Sequence, residues 1–127
     1  EQVFERVRGL TFKFRAGEFF QNNPFVIPKL IDHVVREAKA PLLAPADRHA
    51  AAVPLTGGES SEGDGRRHAR SLIDAYCGGG LFCLSAAENF DHCAGIEISE
   101  LNIQSARGNA ALNNITNCEC RELSCVF

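Results

Sequence analysis

Between Leu10 and Arg15 apolar and polar positions alternate, Leu10, Phe12 and Phe14 against Thr11, Lys13 and Arg15, the period of a strand with one buried face. The segment Gly17-Glu-Phe-Phe-Gln-Asn-Asn-Pro24 interrupts that pattern. Beyond it Ile27, Leu30, Ile31, Val34, Val35 and Ala38 recur at steps of three and four, predicting an amphipathic helix. Asn23 is placed to cap its start, and a proline early in the helix suits a first turn. From Pro41 to Gly65 the composition turns to Ala, Pro, Gly, Ser and acidic residues, with Gly57-Gly58 and Gly63-Asp-Gly65 as breakers, so a flexible surface insertion is expected. Order resumes at Ser71-Leu-Ile-Asp-Ala-Tyr76, a short strand, followed by Gly78-Gly-Gly80 and an apolar run from Leu81 to Ala87 that suits a helix. Cys93-Ala-Gly-Ile-Glu-Ile98 reads as a second buried strand. Ser99 caps a further helix with Ile103, Ala106 and Ala110 on its inner face, Asn113 to Asn117 ends it, and Cys118 to Leu123 begins a third strand.

Strand, glycine turn, helix, strand, helix, strand is the opening half of an open parallel sheet with crossover helices. The fold class expected is therefore α/β, an incomplete Rossmann-like domain preceded by a strand and an amphipathic helix. The organisation expected is a leading segment (1–40), the insertion (41–70) and the first half of the Rossmann-like domain (71–127). With 127 residues the chain fits one small domain or one lobe of a larger enzyme.

Composition narrows the function classes. The formal net charge of −3 argues against a broad basic surface gripping a phosphate backbone. Local basic groups remain at Arg6, Arg8, Lys13 and Arg15 and at Arg66, Arg67, His68 and Arg70, and such runs are usually solvated surface. The apolar runs are far too short for a membrane span, and Glu1 to Arg8 mixes charge with apolar residues, unlike the apolar core of a secretory signal. Of the six cysteines, Cys77, Cys83 and Cys93 read as small buried hydrophobes. Cys118, Cys120 and Cys125 cluster near the end, but no Cys-x-x-Cys pair occurs and no histidine follows at zinc-ligand spacing, so a metal is not expected. The chain reads as an intracellular sequence, for which reduced thiols are the default.

In such a sheet a ligand lies where the first strand-to-helix turn and the end of the second strand converge. Gly78, Gly79 and Gly80 remove side chains where a ligand must approach backbone, and Glu97 lies about 20 residues on, the distance expected of a carboxylate that accepts from ribose hydroxyls. NAD and FAD compete for this geometry. Their fingerprint wants a third glycine for close helix packing, where this chain has Cys83, and Asp74 would sit badly beside a pyrophosphate. S-adenosylmethionine (SAM) has one carboxylate and no pyrophosphate, and Asp74 could orient the turn or balance its cationic ammonium and sulfonium. The residues favour SAM, with a dinucleotide-dependent oxidoreductase as the disfavoured alternative.

Four segments carry a more specific likeness: Phe12-Lys-Phe-Arg-Ala-Gly-Glu-Phe-Phe-Gln-Asn-Asn-Pro24, Asp74-Ala-Tyr-Cys-Gly-Gly-Gly-Leu-Phe82, Gly95-Ile-Glu-Ile-Ser99 and Asn109-Ala-Ala-Leu-Asn113. Together they resemble the RNA 5-methyluridine methyltransferase family, most of all its eukaryotic tRNA (uracil-5-)-methyltransferases. The likeness spans nearly the whole chain outside the insertion. It implies an RNA-recognition portion ahead of a Rossmann-like SAM-dependent methyltransferase domain that methylates C5 of a uridine in tRNA. By the resemblance Gln21 matches a SAM-contacting glutamine, Tyr76 the aromatic of the glycine turn, and Glu97 the ribose-binding acid; Gly78 belongs to the turn itself. Without the family Gln21 would read as a turn residue.

The family mechanism adds a cysteine thiolate to C6 of uracil, after which C5 takes the methyl group and a general base removes the C5 proton. In the family that cysteine follows an Asp-Pro-Pro type motif downstream of the SAM loop. None of the six cysteines here stands in such a motif, so no catalytic residue is assigned and the chain is expected to hold the methyl donor without using it; a non-catalytic RNA-binding or interaction remnant is the alternative. Gly79 replaces a small polar residue common in the turn, and Cys118 to Phe127 lacks the Gly-Asp-Ala type sequence common after the third strand in relatives. The first strand of the sheet would ordinarily be flanked by later strands, so an unpaired edge and marginal stability or aggregation are expected.

Overall fold

The computed structural model describes residues 1–16, 23–40 and 69–123. The chain opens with an antiparallel hairpin, β1 (Gln2–Val7) and β2 (Leu10–Arg15), paired from Gln2 opposite Arg15 to Val7 opposite Leu10. Only β2 is legible from alternation. The strand β1 carries Glu5 and Arg6 among its apolar residues and forms because Arg8 and Gly9, with φ of 50° and 86°, make the two-residue turn whose twist matches a hairpin. Phe12 is fully buried, and Val7 nearly so.

Helix α1 (Ile27–Lys39) buries Ile27, Ile31 and Val35, the face expected from its periodicity. Val26, not Asn23, holds its cap position. The Asn23 Oδ1 accepts from the amides of Phe25 and Val26 at 3.1 and 3.2 Å, so Asn23 closes the turn just before the helix, whose first turn then takes Pro28, a residue that needs no amide partner there.

The second sheet is parallel, in the order β3 (Ser71–Asp74), β4 (His92–Glu97), β5 (Cys118–Glu122), joined by helices α2 (Leu81–Ala86) and α3 (Glu100–Leu112). A single 3₁₀ turn, Ala87–Asn89, extends α2. The strand β3 stops at Asp74, two residues earlier than expected, because Ala75 and Tyr76 already turn toward the glycines. Strand register sets Leu72, Cys93 and Cys118 in one row and Asp74, Gly95 and Cys120 in the next. These residues share the face covered by the helices, where Leu84, Ile103 and Ala106 complete the core. The opposite face carries Ile73, 68% exposed, together with Ala94, Ile96, Glu119 and Arg121. No helix among the described residues is long and apolar enough to cross a membrane.

Two asparagines bind the hairpin to this sheet. Asn113 exchanges hydrogen bonds with the backbone of Thr11, each 2.8 Å, and Asn109 accepts from the Lys13 amide at 2.7 Å. Asn109 lies on α3 and Asn113 caps its C-terminal end, so β2 packs along that helix and its far end runs toward the glycine turn.

Candidate functional site: the glycine turn and the end of the second strand

At the end of β3 the chain turns through Ala75 to Gly80. Gly78 and Gly80 have φ of 50° and 92°, the left-handed region that favours glycine. At Gly80 a β-carbon would also meet Leu84 Cδ1 at 2.7 Å, so close packing and backbone conformation both require glycine. The Gly79 position has room, and its carbonyl accepts from Asn109 Nδ2 at 2.9 Å. Asn109 is 1% exposed and uses both ends of its amide, one on the turn and one on β2. It was legible within the resemblance, but its role depends on contacts far apart in the chain.

Glu97, at the end of β4, meets the turn from the other side. Its Oε2 accepts from the Gly78 amide at 3.1 Å, while Oε1 accepts from the amides of Ile98 and Ser99 at 2.8 and 3.0 Å. Burial acts to raise its pKa, but these three amides and the Asn102 side chain together hold the carboxyl below its ordinary range. Glu97 is thus an ionised, half-buried carboxylate fixed next to glycine backbone. Ser99 caps α3 as expected, its Oγ accepting from the Asn102 amide.

Asp74 turns inward. Its Oδ2 accepts from the Cys83 amide at 3.2 Å, using one of the free amides at the start of α2. Burial raises its pKa, against the opposing hydrogen bonds from the Cys83 and Tyr76 amides. Asp74 therefore orients the turn. Tyr76 is 89% exposed, two residues before Gly78 in the same turn. Gln21 lies outside the described residues. Of the four expected cofactor-binding residues, Gly78 and Glu97 are joined directly and Tyr76 stands exposed two residues before Gly78, an arrangement that leaves an open shelf at the turn.

Beside the shelf, β2 and α3 enclose a groove of about 400 Å³ lined by Lys13, Phe14, Arg15, Gln104, Gly108 and Asn109, among others. Two other basic residues are engaged: Arg8 pairs with Asp32 at 3.0 Å, and Arg70 lies over the Phe90 ring while donating to the Lys39 carbonyl. Residues 66–68 of the second basic run lie outside the described residues.

Comparison with known proteins gives the family. A family model described as tRNA (Uracil-5-)-methyltransferase matches residues 64–126. The tRNA (uracil(54)-C(5))-methyltransferase of Saccharomyces cerevisiae is 35% identical over 116 residues, covering 91% of this chain and 15% of the relative. The chain belongs to the tRNA (uracil-5-)-methyltransferase family. Its Schizosaccharomyces pombe relative of the same description is 33% identical over 117 residues, 91% of this chain and 18% of its own length. The chain thus spans under a fifth of the length of these two family members. Among solved structures, the Pyrococcus abyssi tRNA (uracil-54, C5)-methyltransferase in complex with S-adenosyl-L-homocysteine superimposes with a TM-score of 0.64 at 23% identity, over 98% of this chain and 24% of that one. The likeness shows that the parallel three-stranded sheet and its helices share the α/β fold of part of that methyltransferase.

Proposed function

We propose that this chain supplies the SAM-binding part of a tRNA uracil-5 methyltransferase. The observation that carries the reading is the junction of Glu97 with the Gly78 amide, two residues on from the exposed Tyr76. The residues fit the cofactor. Glu97 keeps lone pairs for ribose hydroxyls beyond those used by backbone, the glycine turn admits close approach, and the Tyr76 face is free of burial. Gln21 is assigned a polar contact to the cofactor on the strength of the family resemblance. When bound, SAM supplies an electrophilic methyl group; this chain's residues hold and orient the donor. The division into 1–40, 41–70 and 71–127 is part of the same proposal.

The chain carries no Asp-Pro-Pro motif with a following cysteine, so we assign no catalytic residue and propose that it binds SAM without turning it over. Isothermal titration with SAM tests the cofactor reading. Binding that Glu97→Ala weakens supports it, and absence of heat at millimolar ligand sinks it. Incubation with labelled SAM and tRNA transcript tests the second part, with no 5-methyluridine expected and any detectable product overturning it.

A non-catalytic RNA-binding role is favoured by one observation, the groove in which Lys13 and Arg15 stand beside Gln104. Phosphate contacts there would make tRNA binding weaken with salt. Gel-shift titrations of Lys13→Ala with and without SAM separate the readings: RNA affinity lost alone points to the groove, and SAM affinity lost alone points to the shelf.

A further inference from the structure

The parallel sheet brings together cysteines that the sequence keeps apart. Cys118 and Cys120 are two residues apart on β5, so both face the helices. Cys83 comes down onto the same spot from α2, and the Sγ atoms of Cys83, Cys118 and Cys120 all lie within 4.8 Å of one another. Space for them comes from Gly95, the register partner of Cys120 on the central strand. A β-carbon at Gly95 would stand 2.9 Å from Cys77 Sγ and 3.0 Å from Cys83 Sγ. Cys77, from the glycine turn, approaches the same place, since the Gly95 β-carbon position that touches Cys83 Sγ touches its sulfur as well. Neither Cys77 nor Cys93 belongs to that group of three sulfurs; Cys77 borders it through Gly95, and Cys93 faces the same side one row away.

We propose that Cys83, Cys118 and Cys120, with Cys77 as fourth ligand, form a structural site for a thiophilic divalent cation of the Zn²⁺ class. Zinc–thiolate bonds of about 2.3 Å place the sulfurs of a tetrahedral site roughly 3.8 Å apart, a modest contraction of the Cys83, Cys118 and Cys120 group, with the Cys77 thiol moving in to close the fourth position. The ligand chemistry is all sulfur, which selects against Mg²⁺ and Ca²⁺. Each thiol gives its proton to solvent as it becomes a thiolate ligand. The guanidinium of Arg107, whose Nε donates to the Cys120 carbonyl at 2.9 Å, offsets the negative charge of the completed site. Entry is from the side of Cys118, which is half-buried where Cys83 and Cys120 are closed. The ion would tie α2 and β5 across the central strand and, through Cys77, fix the glycine turn. The spacing Cys-x-Cys at 118–120 was the available sequence signal; without Cys83 and Cys77 beside it, it does not form a ligand set.

The test uses the whole chain, purified under reducing conditions and stripped with chelator, then titrated with Co²⁺ and Zn²⁺. The expected result is one equivalent of Co²⁺ bound with the strong thiolate charge-transfer and visible bands of a tetrahedral sulfur site, bleached by one equivalent of Zn²⁺, and a higher melting temperature in zinc. Cys118→Ser is expected to weaken uptake at least tenfold while Cys93→Ala leaves it unchanged, with circular dichroism confirming that both fold. On the unmutated chain, zinc is expected to slow alkylation of Cys77, Cys83, Cys118 and Cys120 and not of Cys93, a reading that needs no variant. No uptake, uptake with octahedral oxygen-type spectra, or equal protection of Cys93 would overturn the proposal. SAM titration of both the stripped and the zinc-loaded samples keeps the two readings apart: SAM bound by a chain that takes up no cation sinks the metal reading alone, and cation bound by a chain that takes no SAM sinks the cofactor reading alone.

Discussion

Glu97 is where single side chains matter most, because its two oxygens already collect three backbone amides. Removing the carboxylate in Glu97→Ala leaves those amides to water and deletes the ribose acceptor, and SAM affinity is expected to fall roughly tenfold or more, about the worth of one charge-assisted hydrogen bond. The pH dependence follows from the direction of the shift. A carboxyl held below its ordinary range contributes stability above the unfolded value and loses it as pH falls through the folded one. SAM titrations carried downward through the carboxylate range are expected to show affinity falling on the acid side, and Glu97→Gln is expected to flatten that dependence. Asp74 has the opposite sign. Its raised pKa means that its contribution is present at low pH and lost as pH rises through the raised value. Asp74→Asn keeps an acceptor for the Cys83 amide, so its urea midpoint at neutral pH is expected to equal or exceed that of the parent. Asn109 admits no such exchange. Asn109→Ala leaves the Gly79 carbonyl and the Lys13 amide without their buried partner, at an expected cost of about 1–3 kcal/mol in urea denaturation.

Among the elements, the glycine turn and its neighbouring strand show how similar residues carry different constraints. At Gly78 a β-carbon meets nothing within 4 Å, so Gly78→Ala adds only left-handed backbone strain, about 1–2 kcal/mol. At Gly80 the same change adds a 2.7 Å approach to Leu84, and the loss of stability is expected to exceed that of Gly78→Ala in the same melt. Gly95 is extended strand, where alanine is ordinarily tolerated; here it would press on two sulfurs. The helix α3 starts where Ser99 caps it and stops near Asn113, with Asn114 at φ 55°. Most element positions were readable from period and caps. The missed strand β1 and the shortened β3 were not, since a hairpin partner with charges at 5 and 6 shows no clean alternation and a strand's end depends on where the chain must turn.

For the molecule as a whole, the open sides of the sheet set its behaviour in solution. Among the described residues β3 pairs only with β4, and Ile73 next to Ala94 and Ile96 leaves an apolar strip on the face away from the helices. An unpaired edge beside exposed apolar surface invites self-association. Light scattering after size exclusion is expected to show species larger than monomer growing with concentration, and Ile73→Lys is expected to reduce them; a monomer with a sharp cooperative melt over the same range would contradict this. The hairpin's attachment through Asn109 and Asn113 makes the leading segment part of the same packing unit as α3, so loss of residues 1–16 is expected to lower protection of the glycine turn in hydrogen exchange.

Local order was determined by the chain's own pattern. Periods of two and three to four, glycine at the turn and serine at the cap constrain backbone within a few residues, and these identify the α/β order, the turn at Gly78–Gly80 and the acid at Glu97 without reference to distant contacts. What the tertiary structure alone decided is which distant groups meet: the Glu97 carboxylate on the Gly78 amide, Asn109 between Gly79 and Lys13, and Cys83 over Cys118 and Cys120. Such meetings depend on strand register and on the hand of the crossovers, which bring residues from separate elements within hydrogen-bond or ligand distance, and no spacing along the chain encodes that distance.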